Sequence, residues 1–220
     1  MKITTPLIIG LLALNLPTFA AEKTKYDSLK KAAGKGDLAD AQLHIRHGAK
    51  ANEKDANGQT ALHYAANAEV AALLIEHGAD VNAKNKSDWT PLHYATMRKR
   101  TEVARALLTN GADPDASSNT KRTPLHFCAE RKLLDMAKLL VEHKADLQAR
   151  DKTGWSPLHF AAVKDDIPMV QFLVGKGADI NAASDGGGQP LHEAAVGASK
   201  EMIALLVELG ADTKAKTKDG

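Results

Sequence analysis

The sequence predicts an all-α fold, a solenoid of about six helix-turn-helix units joined by hairpin loops. A four-residue string, most often Thr-Pro-Leu-His, recurs along the chain, and four of the five intervals between successive copies are 33 residues. Each copy is followed in the same order by two helical runs and a polar tip. Self-similarity at a period of roughly 20 to 50 residues is typical of repeat proteins, in which each unit packs on its neighbours.

The composition excludes several protein classes. Of the 220 residues, 44% are hydrophobic and 25% are charged, unlike a disordered, collagen-like or multi-span membrane protein. The 29 lysines and arginines nearly balance the 27 aspartates and glutamates, so the net charge of +2 does not favour a nucleic-acid partner. The single cysteine, Cys128, forms neither an internal disulfide nor a multi-cysteine metal site. Stability must therefore come from packing.

Residues 1–20 are typical of a secretion signal peptide. After a positive start, the 14 residues 3–16 carry no charge, and Thr18 and Ala20 are small residues at the positions that a signal peptidase reads. The alternative is a membrane anchor, but an anchor needs about 20 apolar residues. We therefore expect cleavage after Ala20, export to the periplasm or the medium without a stable membrane anchor, and one repeat domain over residues 21–220.

The repeated leucine fixes the register of the units. It stands at Leu29, Leu62, Leu92, Leu125, Leu158 and Leu191. These positions divide the repeat domain into units at about 27–59, 60–89, 90–122, 123–155, 156–188 and 189–220.

Each unit carries start and stop signals for two helices. A Thr or Ser before Pro, as at Thr90 and Pro91, starts the first helix, because the hydroxyl caps it and proline loses no hydrogen bond in the first turn. The second helix contains paired aliphatic residues and ends at a glycine such as Gly78, which adopts a positive φ readily. The polar tip that follows predicts a hairpin loop.

With five near-complete copies of T-P-L-H and a later G-A-D in register, the sequence resembles the ankyrin-repeat family over residues 26–216. The resemblance implies antiparallel helix pairs stacked into a curved solenoid, with the first helices and the hairpins on the concave side. It also implies a module that binds other proteins, similar to exported bacterial members of the family, and commonly monomeric.

Departures from the repeat predict local structural consequences. The second unit lacks three residues between its helices, so we expect an irregularity of about one helical turn. Lys144 replaces the helix-ending glycine of the fourth unit, and a non-glycine residue at positive φ costs about 1 kcal/mol. The end units carry polar substitutions that suit caps, including Lys30 for the motif histidine and Gln189 for the motif threonine.

The nine histidines raise an alternative, a metal-binding or hydrolytic protein. Five occupy the motif, but neighbouring helices pack about 8 to 10 Å apart whereas zinc ligands lie about 2 Å from the ion, so these five cannot share one metal. The resemblance implies that each is structural, bonding near the start of its helix and linking neighbouring units. The other four should have surface or capping roles near the ends of second helices: His44, His47, His77 and His143.

No other pattern predicts catalysis or a cofactor. Cys128 takes a slot that alanine fills in other units, so we expect inert packing. Residues 185–188 are glycine-rich but lack the Lys-Ser/Thr of a phosphate loop. Asp166, just before Ile167-Pro168, is expected to cap a helix. The sequence therefore predicts neither an enzyme nor a metal site.

Residues in equal register form columns across the stack, and three columns suit partner binding. The predicted partner-binding residues are Trp89, Arg122 and Trp155 before the motif, Tyr64 and Tyr94 in the first helix, and Arg98, Arg131 and Lys164 one turn later. Trp, Tyr and Arg dominate binding energy at protein interfaces. Each column has an alternative. For the first-helix aromatic residues, which Phe127 and Phe160 continue, burial between units is at least as well supported as partner contact. Packing of the hairpin is the alternative for the two tryptophans, and a solvated charged face is the alternative for the cations. Together the columns predict a partner with an acidic surface.

The predicted function is a non-catalytic protein-protein interaction module of the bacterial envelope that binds and regulates or neutralises a partner. Toxin immunity and a helper role in oxidative stress are both compatible with this function. A nucleic-acid partner is a further hypothesis, which the near-neutral charge and the predicted export disfavour.

Overall fold

The computed structural model describes residues 23–218 and holds, over that range, twelve α-helices and no strand. In chain order they are α1 (Leu29–Lys35), α2 (Leu38–Arg46), α3 (Ala61–Tyr64), α4 (Ala68–Glu76), α5 (Pro91–Met97), α6 (Thr101–Thr109), α7 (Pro124–Glu130), α8 (Leu134–Glu142), α9 (Pro157–Val163), α10 (Ile167–Gly175), α11 (Pro190–Ala195) and α12 (Lys200–Glu208). Six successive helix pairs confirm the predicted solenoid. The predicted signal peptide, residues 1–20, lies outside the described residues.

The helices form two layers. Odd-numbered helices pack on one another along the whole stack, from α1 to α11, and each also packs on the even-numbered partner of its own unit. The even-numbered helices from α6 onward contact one another less. The closer spacing of the first helices places them on the concave side. Within residues 23–218, no helix has both the length and the apolar character needed to cross a membrane.

Polar residues at the helix starts explain where the helices begin. The N-cap residues of five first helices form capping boxes with the motif histidine: Thr60, Thr90, Thr123, Ser156 and Gln189. Four second helices begin at a polar residue whose side chain accepts from the backbone N–H three residues later: Asp37, Asn67, Asp166 and Ser199. The predicted capping role of Asp166 is therefore confirmed.

The motif leucines lie at the centre of the core. Leu62, Leu92, Leu125 and Leu158 are almost fully buried, because each is covered by the units on both sides. Leu191 of the last unit is only half-buried. A solenoid core of this kind is continuous across the joints, so each unit depends on its neighbours for burial.

The shortened second unit loses helix rather than loop. Helix α3 has four residues, whereas α5, α7 and α9 have seven each, which confirms the expected irregularity. Arg100 of the following unit fills the gap, because its Nη1 donates to the carbonyl oxygens of Tyr64 at 2.8 Å and Ala65 at 2.7 Å. Nη1 of Arg98 donates to the carbonyl of His63 at 3.2 Å. Two arginines thus satisfy the end of the truncated helix.

The predicted hairpin loops are narrow turns that bond to one another. Each is closed at its base, as where the Asp151 N–H donates to the Trp155 carbonyl at 2.9 Å. Successive tips are also linked, as where the Lys152 N–H donates to the Thr120 carbonyl at 3.0 Å. These bonds between hairpins fix the position of the residue before each motif, and hence of the column that contains the two tryptophans.

Lys144 adopts the strained conformation predicted for it. Its φ is +66°, and the equivalent helix-ending glycines include Gly111 at +85° and Gly177 at +99°. Nothing crowds the Cβ position at these glycines, so the cost at Lys144 is one of backbone conformation.

The first unit is completed by the chain that precedes it. The backbone N–H groups of Lys25 and Tyr26 donate to the carboxylate of Asp40, which is buried. Nε2 of His44 lies 3.0 Å from the Tyr26 carbonyl. These contacts hold the segment before α1 against α2.

Candidate partner-binding face

The five motif histidines link the units by their two ring nitrogens. In His93, Nδ1 accepts from the Thr90 backbone N–H at 3.2 Å, and Nε2 lies 3.1 Å from the carbonyl of Arg122, the residue directly before the next motif. The same pair of contacts recurs at the other four: His63, His126, His159 and His192. The predicted structural role is therefore confirmed, and neither nitrogen is left for a metal.

Burial keeps these rings neutral. It lowers the pKa of His93 to about 4 and also lowers the pKa values of His63, His126 and His159. A neutral imidazole has one donor and one acceptor nitrogen, as these two contacts require. The motif histidines are accordingly joints between units rather than acid-base groups.

The remaining histidines and the cysteine have structural positions. Nδ1 of His77 lies 2.8 Å from the Leu73 carbonyl, and Nδ1 of His143 lies 2.9 Å from the Leu139 carbonyl, which confirms capping of the last helical turn for these two. Cys128 is fully buried, which confirms the predicted packing position, and burial raises the pKa of its thiol. Among residues 23–218, no group of three or more His, Cys, Asp or Glu side chains is arranged to hold a metal ion.

The structure brings Trp89, Arg122 and Trp155 together in one cluster through two phenylalanines. The Trp89 ring lies 4.9 Å from that of Phe127, and the Trp155 ring lies 5.0 Å from that of Phe160, measured between centroids. The Arg122 guanidinium lies between them, 5.5 Å from the Phe127 ring and 4.2 Å from the Phe160 ring. We call these five side chains the aromatic ladder.

Arg122 forms two ion pairs within the protein. Its Nη1 lies 3.3 Å from Oε2 of Glu130 and its Nε lies 3.6 Å from Oδ2 of Asp151, and only 21% of its side chain is exposed. Sequence reasoning missed both ion pairs, because the partners are eight and 29 residues away. Arg122 therefore packs within the ladder, and the two carboxylates neutralise its positive charge.

Burial differs along the aromatic column. Phe127 and Phe160 are buried, which favours packing between units at those positions. Tyr64 and Tyr94 are half-buried and keep polar contacts, since the Tyr64 hydroxyl donates to Oδ2 of Asp55 at 2.7 Å. Burial and this hydrogen bond raise the pKa of Tyr64 to about 12, so it remains a neutral phenol.

The cationic column, in contrast, faces solvent. Arg98, Arg131 and Lys164 are the C-cap residues of α5, α7 and α9, and all three are exposed. None of them takes part in an ion pair of the described residues. Arg98 is also oriented by aromatic rings, with its guanidinium 5.0 Å from the centroid of Tyr94 and 5.8 Å from that of Tyr64.

A cavity of about 370 Å³ opens beside the aromatic ladder. Trp89, Tyr94 and Phe127 form its apolar wall, and Ser87 and Asn119 from two neighbouring hairpin tips belong to its polar lining. Both tryptophans stay half-buried, so each leaves part of its ring open to a partner. Contact with a partner at any of these residues stays a prediction.

Three overlapping stretches of the chain match the pattern of ankyrin repeats, at residues 29–118, 114–184 and 151–217. Together they include every helix described above. The chain belongs to the ankyrin-repeat family. Comparison with curated protein sequences finds no match.

Membership of the ankyrin-repeat family indicates what kind of function this geometry serves. Ankyrin repeats are protein-protein interaction modules and are typically not enzymes. In this ankyrin stack the units at the centre, from the second to the fifth, carry the aromatic ladder and the cationic column. These units form the candidate partner-binding face.

Proposed function

We propose that this ankyrin-repeat protein is a non-catalytic module that captures one partner protein on the concave face of its second to fifth units. The observation that carries the proposal is the pair of half-buried tryptophans, Trp89 and Trp155, each packed on a phenylalanine ring that the Arg122 guanidinium also contacts. Large aromatic side chains of fixed geometry lose little entropy on binding and act as anchors at interfaces.

The proposal predicts a defined loss of capture. The double substitution of Trp89 and Trp155 by Ala should weaken capture of the partner by about 2 kcal/mol or more, because two anchors are removed from one interface. Affinity capture from an envelope extract, followed by titration of the captured protein, measures the loss. Phe172→Ala is the matched control, since it removes a half-buried aromatic ring from α10 on the opposite layer. Equal capture by the double variant and the control would contradict the proposal.

We also propose that the module works in the bacterial envelope, where it binds and regulates or neutralises its partner. The charge-free run of residues 3–16 and the small residues Thr18 and Ala20 support export. The protein recovered from the periplasm should then begin at Ala21. N-terminal sequencing measures this, and recovery of the intact chain in the cytoplasm would contradict it.

A further inference from the structure

The exposed cations of the concave face occur once per unit. Arg98, Arg131 and Lys164 stand at the same position of three consecutive first helices, α5, α7 and α9, which pack directly on one another. Packed helices lie about 8 to 10 Å apart. The backbone positions of the three residues therefore repeat at roughly that distance along a line across the stack.

The line has two definite ends. The shortened second unit has no equivalent residue, because α3 stops at Tyr64. In the sixth unit the equivalent position is Gly197. The cationic column, which we call the cation row from here on, therefore consists of three charges.

Neighbouring acidic groups leave the cation row unneutralised. Glu102 pairs with Arg105, and Asp135 pairs with Lys138. Asp165 accepts from the backbone N–H and the hydroxyl of Ser199. Lys99 and Lys132, each next to a member of the row, are exposed and form no ion pair within the described residues, so they add to the positive potential.

The spacing selects the conformation of an acidic ligand. A polyproline II helix rises about 3.1 Å per residue and has three residues per turn, so carboxylates at every third residue project on one side about 9 Å apart. In a β-strand, residues three apart point to opposite faces. Polyproline segments also dock on aromatic grooves, and Tyr64 and Tyr94 line the start of the row.

We propose that the cation row binds an extended, proline-rich acidic segment of the partner, with carboxylates at every third residue over three repeats. This inference rests on the proposed partner-capture function and names the chemistry that the concave face recognises. Each carboxylate pairs with one cation of the row, and the prolines lie along the tyrosines.

Synthetic peptides test the predicted spacing of the carboxylates, with the unmodified protein as the binding partner. All peptides have the same length and consist of (Xaa-Pro-Pro) repeats. With one, two, three or four glutamates in adjacent Xaa positions and glutamine in the rest, affinity should rise about threefold for each glutamate up to the third and then level off. Peptides with the same glutamates in one contiguous block should bind more weakly. Higher salt should weaken the three-glutamate peptide, since exposed charges are screened. No binding at millimolar peptide, or tighter binding of the block or of a helical peptide with glutamates seven residues apart, would overturn the proposal.

Glutamine variants test the surface itself. Changing Arg98, Arg131 and Lys164 to Gln should lower affinity for the three-glutamate peptide at least tenfold and remove the stepwise dependence on glutamate number. The control changes Lys138, Lys176 and Lys200 to Gln, which removes the same charge from exposed positions of the second-helix layer and should bind as the unmodified protein does. Equal affinity of the two triple variants would overturn the assignment. A second outcome would also overturn it: the peptides do not bind, and the protein adsorbs to vesicles of phosphatidylserine and phosphatidylcholine. That result would assign the cation row to a membrane surface.

The peptide-binding test and the partner-capture test can fail independently. If the peptides fail but the Trp89 and Trp155 substitutions still abolish partner capture, the ligand chemistry is wrong and the capture function stands. If the peptides bind in the stepwise manner but capture is insensitive to the tryptophans, the cation row stands and the tryptophan anchors do not.

Discussion

At the scale of single residues, the motif histidine connects one unit to the next. In His126, Nδ1 accepts from the Thr123 N–H at 3.1 Å and Nε2 lies 3.0 Å from the Trp155 carbonyl, so one ring joins the start of its own helix to the residue directly before the next motif. A lysine has no acceptor nitrogen in its charged form and cannot make both contacts. The first unit carries Lys30 at this position, and its Nζ instead donates one bond to the Glu53 carbonyl at 3.4 Å.

Lys144 gives a prediction at this scale. Lys144→Gly should stabilise the protein by about 0.5 to 1 kcal/mol, because glycine relieves the positive-φ strain, although it also adds some entropy to the unfolded chain. Urea unfolding measures the change as a higher midpoint with an unchanged slope.

The reverse substitution is the matched control for Lys144. Gly111→Lys places lysine at the equivalent helix end, where φ is +85° and nothing lies within 4 Å of the added Cβ. It should destabilise by about 1 kcal/mol. If both substitutions shift the midpoint in the same direction, backbone strain is not the cause.

At the scale of elements, helix α3 shows how a deletion is accommodated. Its last carbonyls would be unsatisfied without a following turn, and unpaired buried polar groups are costly. Arg100 supplies donors to two of them from the next unit, at the N-cap position of α6. The short helix is thus completed by a side chain rather than by its own backbone.

Removal of Arg100 should therefore cost more than removal of an exposed arginine. Arg100→Ala is expected to lower the free energy of unfolding by about 2 kcal/mol, because hydrogen bonds from a charged donor contribute about 1.5 to 3 kcal/mol. Chemical denaturation measures it. Arg105→Ala on the same helix is the control, since its side chain is 52% exposed and pairs only with Glu102, and it should stay within about 0.5 kcal/mol of the parent. Similar losses in both variants would argue against the capping role.

At the scale of the whole molecule, the row of neutral histidines makes stability depend on pH. Burial lowers the folded-state pKa of four motif histidines below the unfolded value, so the unfolded chain binds more protons under mildly acidic conditions. Their stabilisation is complete above about pH 6.5 and is lost progressively as the pH falls toward the folded pKa values, which is about 4 for His93.

Unfolding midpoints measured between pH 7 and pH 4 should therefore decrease steadily. His93→Asn should reduce the loss of unfolding free energy between pH 7 and pH 4 by up to about 3 kcal/mol, since one unit of pKa shift corresponds to about 1.4 kcal/mol. The same variant should be less stable than the parent at pH 7. His47→Asn is the control, because His47 is exposed and should leave the slope unchanged. A parallel pH profile for His93→Asn and the parent would contradict the linkage.

The sequence by itself determined the all-α solenoid, the helix boundaries near their caps and the strain at Lys144, because each depends on local signals or on a 33-residue register. The structural role of the motif histidines was implied by the resemblance to the ankyrin-repeat family. The sequence also placed Trp89, Arg122 and Trp155 in one column. Only the tertiary structure decided that Arg122 is neutralised by Glu130 and Asp151, that Arg100 completes α3, and which cations remain unpaired. Those outcomes depend on side chains from different units meeting in space, and neither helix propensity nor repeat spacing specifies which partners they find.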